Sequence, residues 1–189
     1  MNVVTFKEAD CAEEIEQIHR LNHLVFAEEV KQHPQTPDGR LIDKFHERSR
    51  YFVARQGEEL VGMISVHAGP VFSIESRLKD LSELRAMPAP LEVRLLAIRP
   101  EFRNRSILLG LLVQVWRYAV KHHSSDLLIS GIVERVPMYL KLGFQPMGEP
   151  VPCGAAEFVP MRMDLASARE RAVNWERLYE IRWGSGVSS

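Results

Sequence analysis

Apolar positions along this chain follow two rhythms. Short runs rich in Leu, Val, Ile and aromatic residues fall at Val3–Phe6, Tyr51–Arg55, Leu60–Val66, Leu91–Ile98, Leu127–Gly131 and Ala156–Met163. Runs of this length and make-up predict buried strands. Between them the period lengthens to that of a helix. Ile15, Ile18, Leu21 and Val25 predict a helix running to about Glu29, with Asp10 as N-cap and Glu13 completing a capping box. Leu108, Leu111, Leu112, Val115, Trp116 and Ala119 form one apolar stripe at i, i+3, i+4, i+7, i+8 and i+11. Trp175, Leu178, Tyr179 and Arg182 share one side of a last helix, Ala166–Arg182. Gln56–Glu59 predicts a hairpin, and two prolines with Asp38-Gly39 mark residues 32–42 as loop. Ser73–Leu84 is a further helix candidate within an irregular excursion.

The stretch from Leu91 to Lys121 organises the rest. A buried strand ends at Arg99-Pro100, because proline cannot donate to a sheet ladder. Arg99, Arg103 and Arg105 crowd the turn that follows, and the striped helix starts just after it. Strand, basic turn and helix together present backbone N–H groups and positive charge to an anion. The same pattern also suits a plain strand–helix unit with solvated arginines.

Composition narrows the classes. A chain of 189 residues is long enough for one domain with a sizeable core. We expect a single domain over residues 1–165 and a helical tail over 166–189, packed on that domain or on a partner. A formal net charge of −1 gives no global attraction to nucleic acid or anionic membrane. Two cysteines make no disulfide framework, the first residues lack a signal-peptide pattern, and no apolar run reaches spanning length. A cytoplasmic location is therefore expected. His19 and His23 are four apart, a spacing that can hold a metal, but no third ligand or HExxH accompanies them, so no metal is expected. The Met residues can fill core gaps or line an acyl tunnel.

Downstream of the basic turn, Met138–Phe144 reads MYLKLGF. It resembles the Y-x-K-x-G-F signature of the GNAT superfamily of N-acetyltransferases, in that family's order of strand, phosphate loop, helix and strand. The resemblance covers roughly Tyr51 to Met163. It implies an α/β GNAT fold, a mixed central sheet flanked by helices. A second resemblance lies in HRLNHLVFAEEV, residues 19–30, and LIDKFHERSRYFVA, residues 41–54. These look like the start of acyl-homoserine-lactone synthases, relatives of the acetyltransferases, as are the long-chain N-acyl amino acid synthases. Glu92-Val93-Arg94-Leu95 is similar to the E-x-S-R-F pattern of the lactone synthases. Phe26, Asp43, Glu92 and Arg94 fall on family positions. Asn22 stands where that family has arginine, His46 replaces an aspartate, and a tryptophan after Phe26 is missing.

The resemblance implies acyl transfer from a thioester to an amine. That chemistry needs a base for the amine, polarisation of the carbonyl and protonation of the leaving thiolate. Glu92 is the expected base and Tyr139 the expected acid, with structural ion pairing and core packing as their alternatives. Backbone around Leu96, Ala97 and Ile98 is expected to meet the acyl donor. Arg103, Asn104, Arg105, Ser106, Ile107 and Leu108 occupy the phosphate loop, where the family pattern is [QR]-x-x-G-x-[GA]. Ser106 and Leu108 replace its small residues, which weakens a cradle for the linked phosphates of coenzyme A. A carrier-protein phosphopantetheine, with one phosphate, is less demanding, and acidic carrier proteins suit Arg99, Arg103, Arg105 and Arg117. Phe26, Asp43 and Arg94 are expected to bind the acceptor. Three readings stay open: an N-acyltransferase using acyl-CoA or an acyl carrier protein and a small-molecule amine, a conventional acetyl-CoA N-acetyltransferase, and a non-catalytic acyl-binding module.

Overall fold

A computed structural model describes residues 3–103 and 105–184, with the side chain of Arg105 left out. Eight strands form one sheet, ordered β1-β2-β3-β4-β5-β8-β6, with β7 also pairing β8. They are β1 (Val4–Glu8), β2 (Ser49–Gln56), β3 (Glu59–His67), β4 (Pro90–Ile98), β5 (Asp126–Ile132), β6 (Gln145–Pro146), β7 (Val151–Cys153) and β8 (Ala156–Asp164). Each predicted strand is present within one or two residues of its expected ends. The short β6 and β7 carry no apolar run and were not predicted.

The helices are α1 (Ala12–Asn22), α2 (Ser82–Ala86), α3 (Arg105–Lys121), α4 (Val136–Leu142) and α5 (Leu165–Trp183). A π-helical segment, His23–Glu29, continues α1, so the apolar face ends where its period predicts. Two expectations need correction. Cys11, not Asp10, is the N-cap of α1, and the carboxylate that reaches back is Glu14, which accepts the Asp10 N–H at 3.1 Å. Glu14 is buried between Lys7 and Arg55, which fixes the turn one residue later. The stretch 73–84 is not one helix but a 3-10 turn, Ser73–Arg77, followed by α2. For the tail, expected on this domain or on a partner, α5 contacts this domain. Ala168 and Ala172 are buried, Arg117 of α3 bridges Glu176 and Glu180, and Phe6 of β1 meets Tyr179 and Trp183 edge-on.

Alternation along the strands gives the sheet two covered faces. Ile64, Val66, Leu91, Leu127, Ile129, Met161 and Met163 pack with the α3 stripe in the main core. Val53, Leu60 and Met63 point the other way, under Ile18 and Leu21 of α1 and Val25 of the π-helical segment. Two irregularities in β4 position everything that follows. First, β4 and β5, the one parallel pair among the described residues, are laddered only from Pro90↔Asp126 to Glu92↔Leu128 and then part. Second, the β3–β4 register steps from Met63↔Ala97 to Ser65↔Arg94, giving β4 one extra residue. Leu95 at that bulge has φ +49°, a conformation that a branched side chain adopts only under constraint.

Candidate active site

Where β4 and β5 separate, a cavity of about 1010 Å³ passes through the sheet. On one face it is lined by Leu108 and Leu112 of α3, Phe144 and Trp175; on the other by Phe26, the 41–44 loop and the Ser73–Arg77 turn. Of the sequence-predicted residues, Phe26, Asp43, Glu92, Arg94, Leu96, Ile98, Arg103, Leu108 and Tyr139 line this one cleft. The Ala97 side chain is buried in the α1 core and does not reach it. Ser106 and Ile107 lie in the first turn of α3 and do not line the cleft. Asn104 and the side chain of Arg105 lie outside the described residues.

Glu92 is fully engaged. Its side chain is 1% exposed and accepts from Ser73 N–H at 2.8 Å, Ser73 Oγ–H at 2.6 Å and Ile74 N–H at 2.9 Å. Arg94 Nη1 lies 3.8 Å away. A buried carboxylate must find donors, and here it finds them by pinning the Ser73–Arg77 turn against β4. Arg94 turns toward Asp43, donating through Nη2 at 2.6 Å and Nε at 3.2 Å, and lies over the Phe45 ring at 4.7 Å. This two-pronged pair is almost dry, with side chains 12% and 6% exposed. Asp43 and Arg94 thus meet at the cleft, with each spending its charge on the other.

Tyr139 comes from α4, which ends at Gly143 with φ +104°, a left-handed cap that glycine adopts without strain. The tyrosine ring lies on Gly131 of β5, where an added Cβ would approach its ring carbons to 2.7 Å. Burial raises the phenol above its ordinary pKa, opposed by a hydrogen bond with the Ile132 backbone and by Arg135. The hydroxyl therefore keeps its proton and can donate it.

The loop expected to bind phosphate differs from expectation in its charge. Arg103 donates through Nε to Ile98 O at 2.9 Å, and its guanidinium forms a two-pronged pair with Glu29 at the end of the π-helical segment. This hydrogen bonding raises the Arg103 pKa and lowers that of Glu29. Arg99 pairs with Glu59 and Arg117 with Glu176 and Glu180. Among the described residues, the arginines of the basic patch read from the sequence are therefore largely neutralised within the fold.

Sequence reasoning missed Ser73, Glu29, Gly131 and His33. Only the first had a signal: a glutamate on a buried central strand demands donors from somewhere. His33 lines the cleft beside Asp43 and Arg94. Burial lowers its imidazole pKa, opposed by Asp43 and reinforced by Arg94. His19 and His23 serve other ends, with His23 Nε2 accepting from the Thr36 N–H at 3.0 Å and His19 Nδ1 lying 3.4 Å from Arg40 Nη2.

Solved structures share this architecture. The structure of FeeM, an N-acyl amino acid synthase from uncultured soil microbes, superposes with a TM-score of 0.74 at 19% identity, covering 92% of this chain and 97% of that one. The CoA-dependent acyl-homoserine lactone synthase BjaI, solved with SAM and isopentyl-CoA, gives 0.72 at 20% identity over 90% of each chain. The AHL synthase LasI gives 0.67 at 18% identity, covering 86% of this chain and 89% of its own. At these identities the likeness establishes the fold, an acyltransferase fold of the GNAT type. No curated protein sequence matches the chain. The family model of the N-acyl amino acid synthase FeeM matches residues 17–164, which span the cleft and every described residue lining it up to Met163. The chain thus belongs to the FeeM N-acyl amino acid synthase family and is an acyltransferase.

Proposed function

We propose that the protein transfers an acyl chain from a phosphopantetheine thioester to the amine of an amino acid. The observation that carries this reading is the cleft itself, which crosses the sheet at the β4 bulge with an apolar half toward α3 and a polar half toward Asp43 and Ser73. An acetyl group would leave most of that apolar half unfilled; a long acyl chain would fill it.

The steps follow from the lining groups. His33, kept neutral near pH 7 by its lowered pKa, accepts a proton from the acceptor ammonium. The amine nitrogen attacks the thioester carbonyl carbon, and the oxygen takes up negative charge. Past Glu92 the β4 edge is unladdered by β5, which supports backbone N–H groups around Leu96 and Ala97 as the donors to that oxygen. The C–S bond then breaks, the thiolate takes a proton from the Tyr139 hydroxyl, and the second proton of the attacking nitrogen, lost as the amide forms, restores the phenol through solvent while His33 passes its own proton to water. Glu92 acts on the reaction by positioning Ser73–Arg77, since its oxygens already accept three hydrogen bonds.

Either coenzyme A or a carrier protein can present the phosphopantetheine. The neutralised arginines weaken the case for an acidic carrier, and the residues at Ser106 and Leu108 weaken the case for a close coenzyme A cradle. Two unpaired cysteines, Cys11 and Cys153, fit a reducing cytoplasm. The test is to incubate the protein with acetyl-CoA, long-chain acyl-CoA or long-chain acyl carrier protein and a panel of amino acids. Mass spectrometry is expected to find an N-acyl amino acid with a long-chain donor. Product from acetyl-CoA alone would overturn the chain-length reading, and no product from any donor would overturn the function.

A further inference from the structure

Charge in the cleft is almost entirely accounted for. Arg94 is paired with Asp43 and Arg103 with Glu29. Lys44 and Arg135 are exposed at its rim. Arg77 is different. It is partly buried and lines the cleft, and among the described residues no carboxylate lies within ion-pair distance of it. Its Nη1 donates only to Ser73 O, at 3.3 Å, its guanidinium carbon lies 5.4 Å from the centre of the Phe158 ring, and its buried Nε has no partner. A second donor, on β5, is also unanswered. Ser130 Oγ is buried and without a partner. Ser130 lies opposite Pro160 and Ile132 opposite Phe158, so by alternation the serine points to the sheet face over which Arg77 lies. Buried donors without acceptors are costly, and an arginine stacked on an aromatic ring with a free N–H edge is a ready-made fork for a carboxylate.

We propose that Arg77 receives the carboxylate of the acceptor, with Ser130 Oγ as a second donor, and so restricts the acceptor to α-amino acids. This rests on the N-acyl transfer reading above. It also gives Glu92 its purpose, because the carboxylate that pins Ser73 and Ile74 fixes the turn from which Arg77 projects. The same chemistry is offered by a free amino acid and by the amino-acid end of S-adenosylmethionine.

The test separates this assignment from the transfer reading by measuring binding apart from turnover. The full chain is titrated calorimetrically with N-dodecanoyl-phenylalanine, with its neutral carboxamide, and with N-dodecanoyl-phenethylamine, which lacks the carboxylate. We expect the wild type to prefer the carboxylate compound by about 10- to 100-fold, the range of a charge-assisted hydrogen bond. Arg77→Gln should abolish that preference while leaving the phenethylamine compound unaffected, and Arg77→Lys should keep part of it. No preference in the wild type, or equal weakening of all three ligands in Arg77→Gln, would overturn the assignment. The wild-type carboxylate-to-carboxamide comparison decides the question even if the variant does not fold. Turnover with free amino acids and with S-adenosylmethionine then distinguishes the two sources, since Arg77→Gln should raise KM for whichever is used. Absence of all transfer, with the binding preference intact, would sink the transferase reading and leave Arg77 a carboxylate site.

Discussion

The two ends of the cleft are held by opposite means. At the phosphate loop, Arg103 and Glu29 form a pair with side chains 37% and 42% exposed, open to salt and to competing anions. At the turn over β5 and β8, Glu92 is sealed under Ser73 and Ile74, and Arg94–Asp43 is nearly dry. A solvated ion pair contributes about 0–1 kcal/mol and exchanges readily. A buried carboxylate with three donors is rigid, and breaking it leaves orphaned groups. One end is therefore suited to admit and release a large donor, the other to hold a small acceptor in one pose.

The largest effect should follow from breaking the rigid end. Glu92→Ala leaves Ser73 N–H, Ser73 Oγ–H and Ile74 N–H without their acceptor. Losing one partner of such a buried charged network costs about 3–5 kcal/mol. Urea unfolding should show that loss, and Glu92→Gln a smaller one. Arg103→Ala, at the solvated end, should shift stability by less than about 1 kcal/mol. Equal losses at both sites would abolish the contrast between the two ends.

Next in size is Tyr139, the proposed acid. Tyr139→Phe should lower kcat by about 100-fold, the low end for a positioned proton donor. Burial also predicts a pH signature. The unfolded phenol titrates near its ordinary 10.0 and the folded one higher. The proton is held more tightly in the folded state, so this stabilisation is complete below pH 10.0 and is lost as pH rises through the folded pKa. Wild-type stability should therefore fall on the alkaline side, and that part of the fall should vanish in Tyr139→Phe. On the acid side, activity should drop as pH falls through the His33 pKa, which burial holds below the ordinary imidazole range, and His33→Gln should remove that limb. Gly131→Ala is expected to give a smaller loss, about 1–3 kcal/mol of stability, because its Cβ must displace the Tyr139 ring. Kinetics of that variant should resemble those of Tyr139→Phe.

Most of this fold can be read from hydrophobic period, because burial leaves a repeating imprint. The β4 run, the α3 stripe and the α1 face each survive as elements with nearly their expected ends. The site was legible only in part. Glu92, Arg94, Asp43, Phe26 and Tyr139 do converge, and a resemblance in motif order identified them. Their partners leave no imprint. Glu29 meets Arg103 across 74 positions and Asp43 meets Arg94 across 51, and no local pattern encodes either pair. The Ser73–Arg77 turn was misread as a helix because its shape is imposed by a glutamate nineteen positions away. The bulge at Leu95 likewise leaves the run of apolar residues in β4 intact while changing its register.

The smallest expected effect tests the solvated end directly. Glu29→Gln keeps the size of the side chain and removes its charge, freeing the Arg103 guanidinium. The exposed pair contributes little to stability, so the melting temperature should stay within a few degrees of wild type. Donor binding should change instead. The phosphate must displace Glu29 from Arg103 in the wild type and need not do so in the variant. We expect KM for the acyl donor to fall by about two- to fivefold, a shift in keeping with the worth of a surface ion pair. The advantage should shrink as salt rises from low to physiological ionic strength, because both the lost pair and the new phosphate contact are screened. KM for the amino acid should not move, since Arg103 and Arg77 lie in opposite ends of the cleft. A fall in both constants would mean that Glu29 restrains the whole cleft rather than the donor end. An unchanged or higher donor KM would mean that Arg103 serves the fold and leaves the phosphate to the N–H groups of α3.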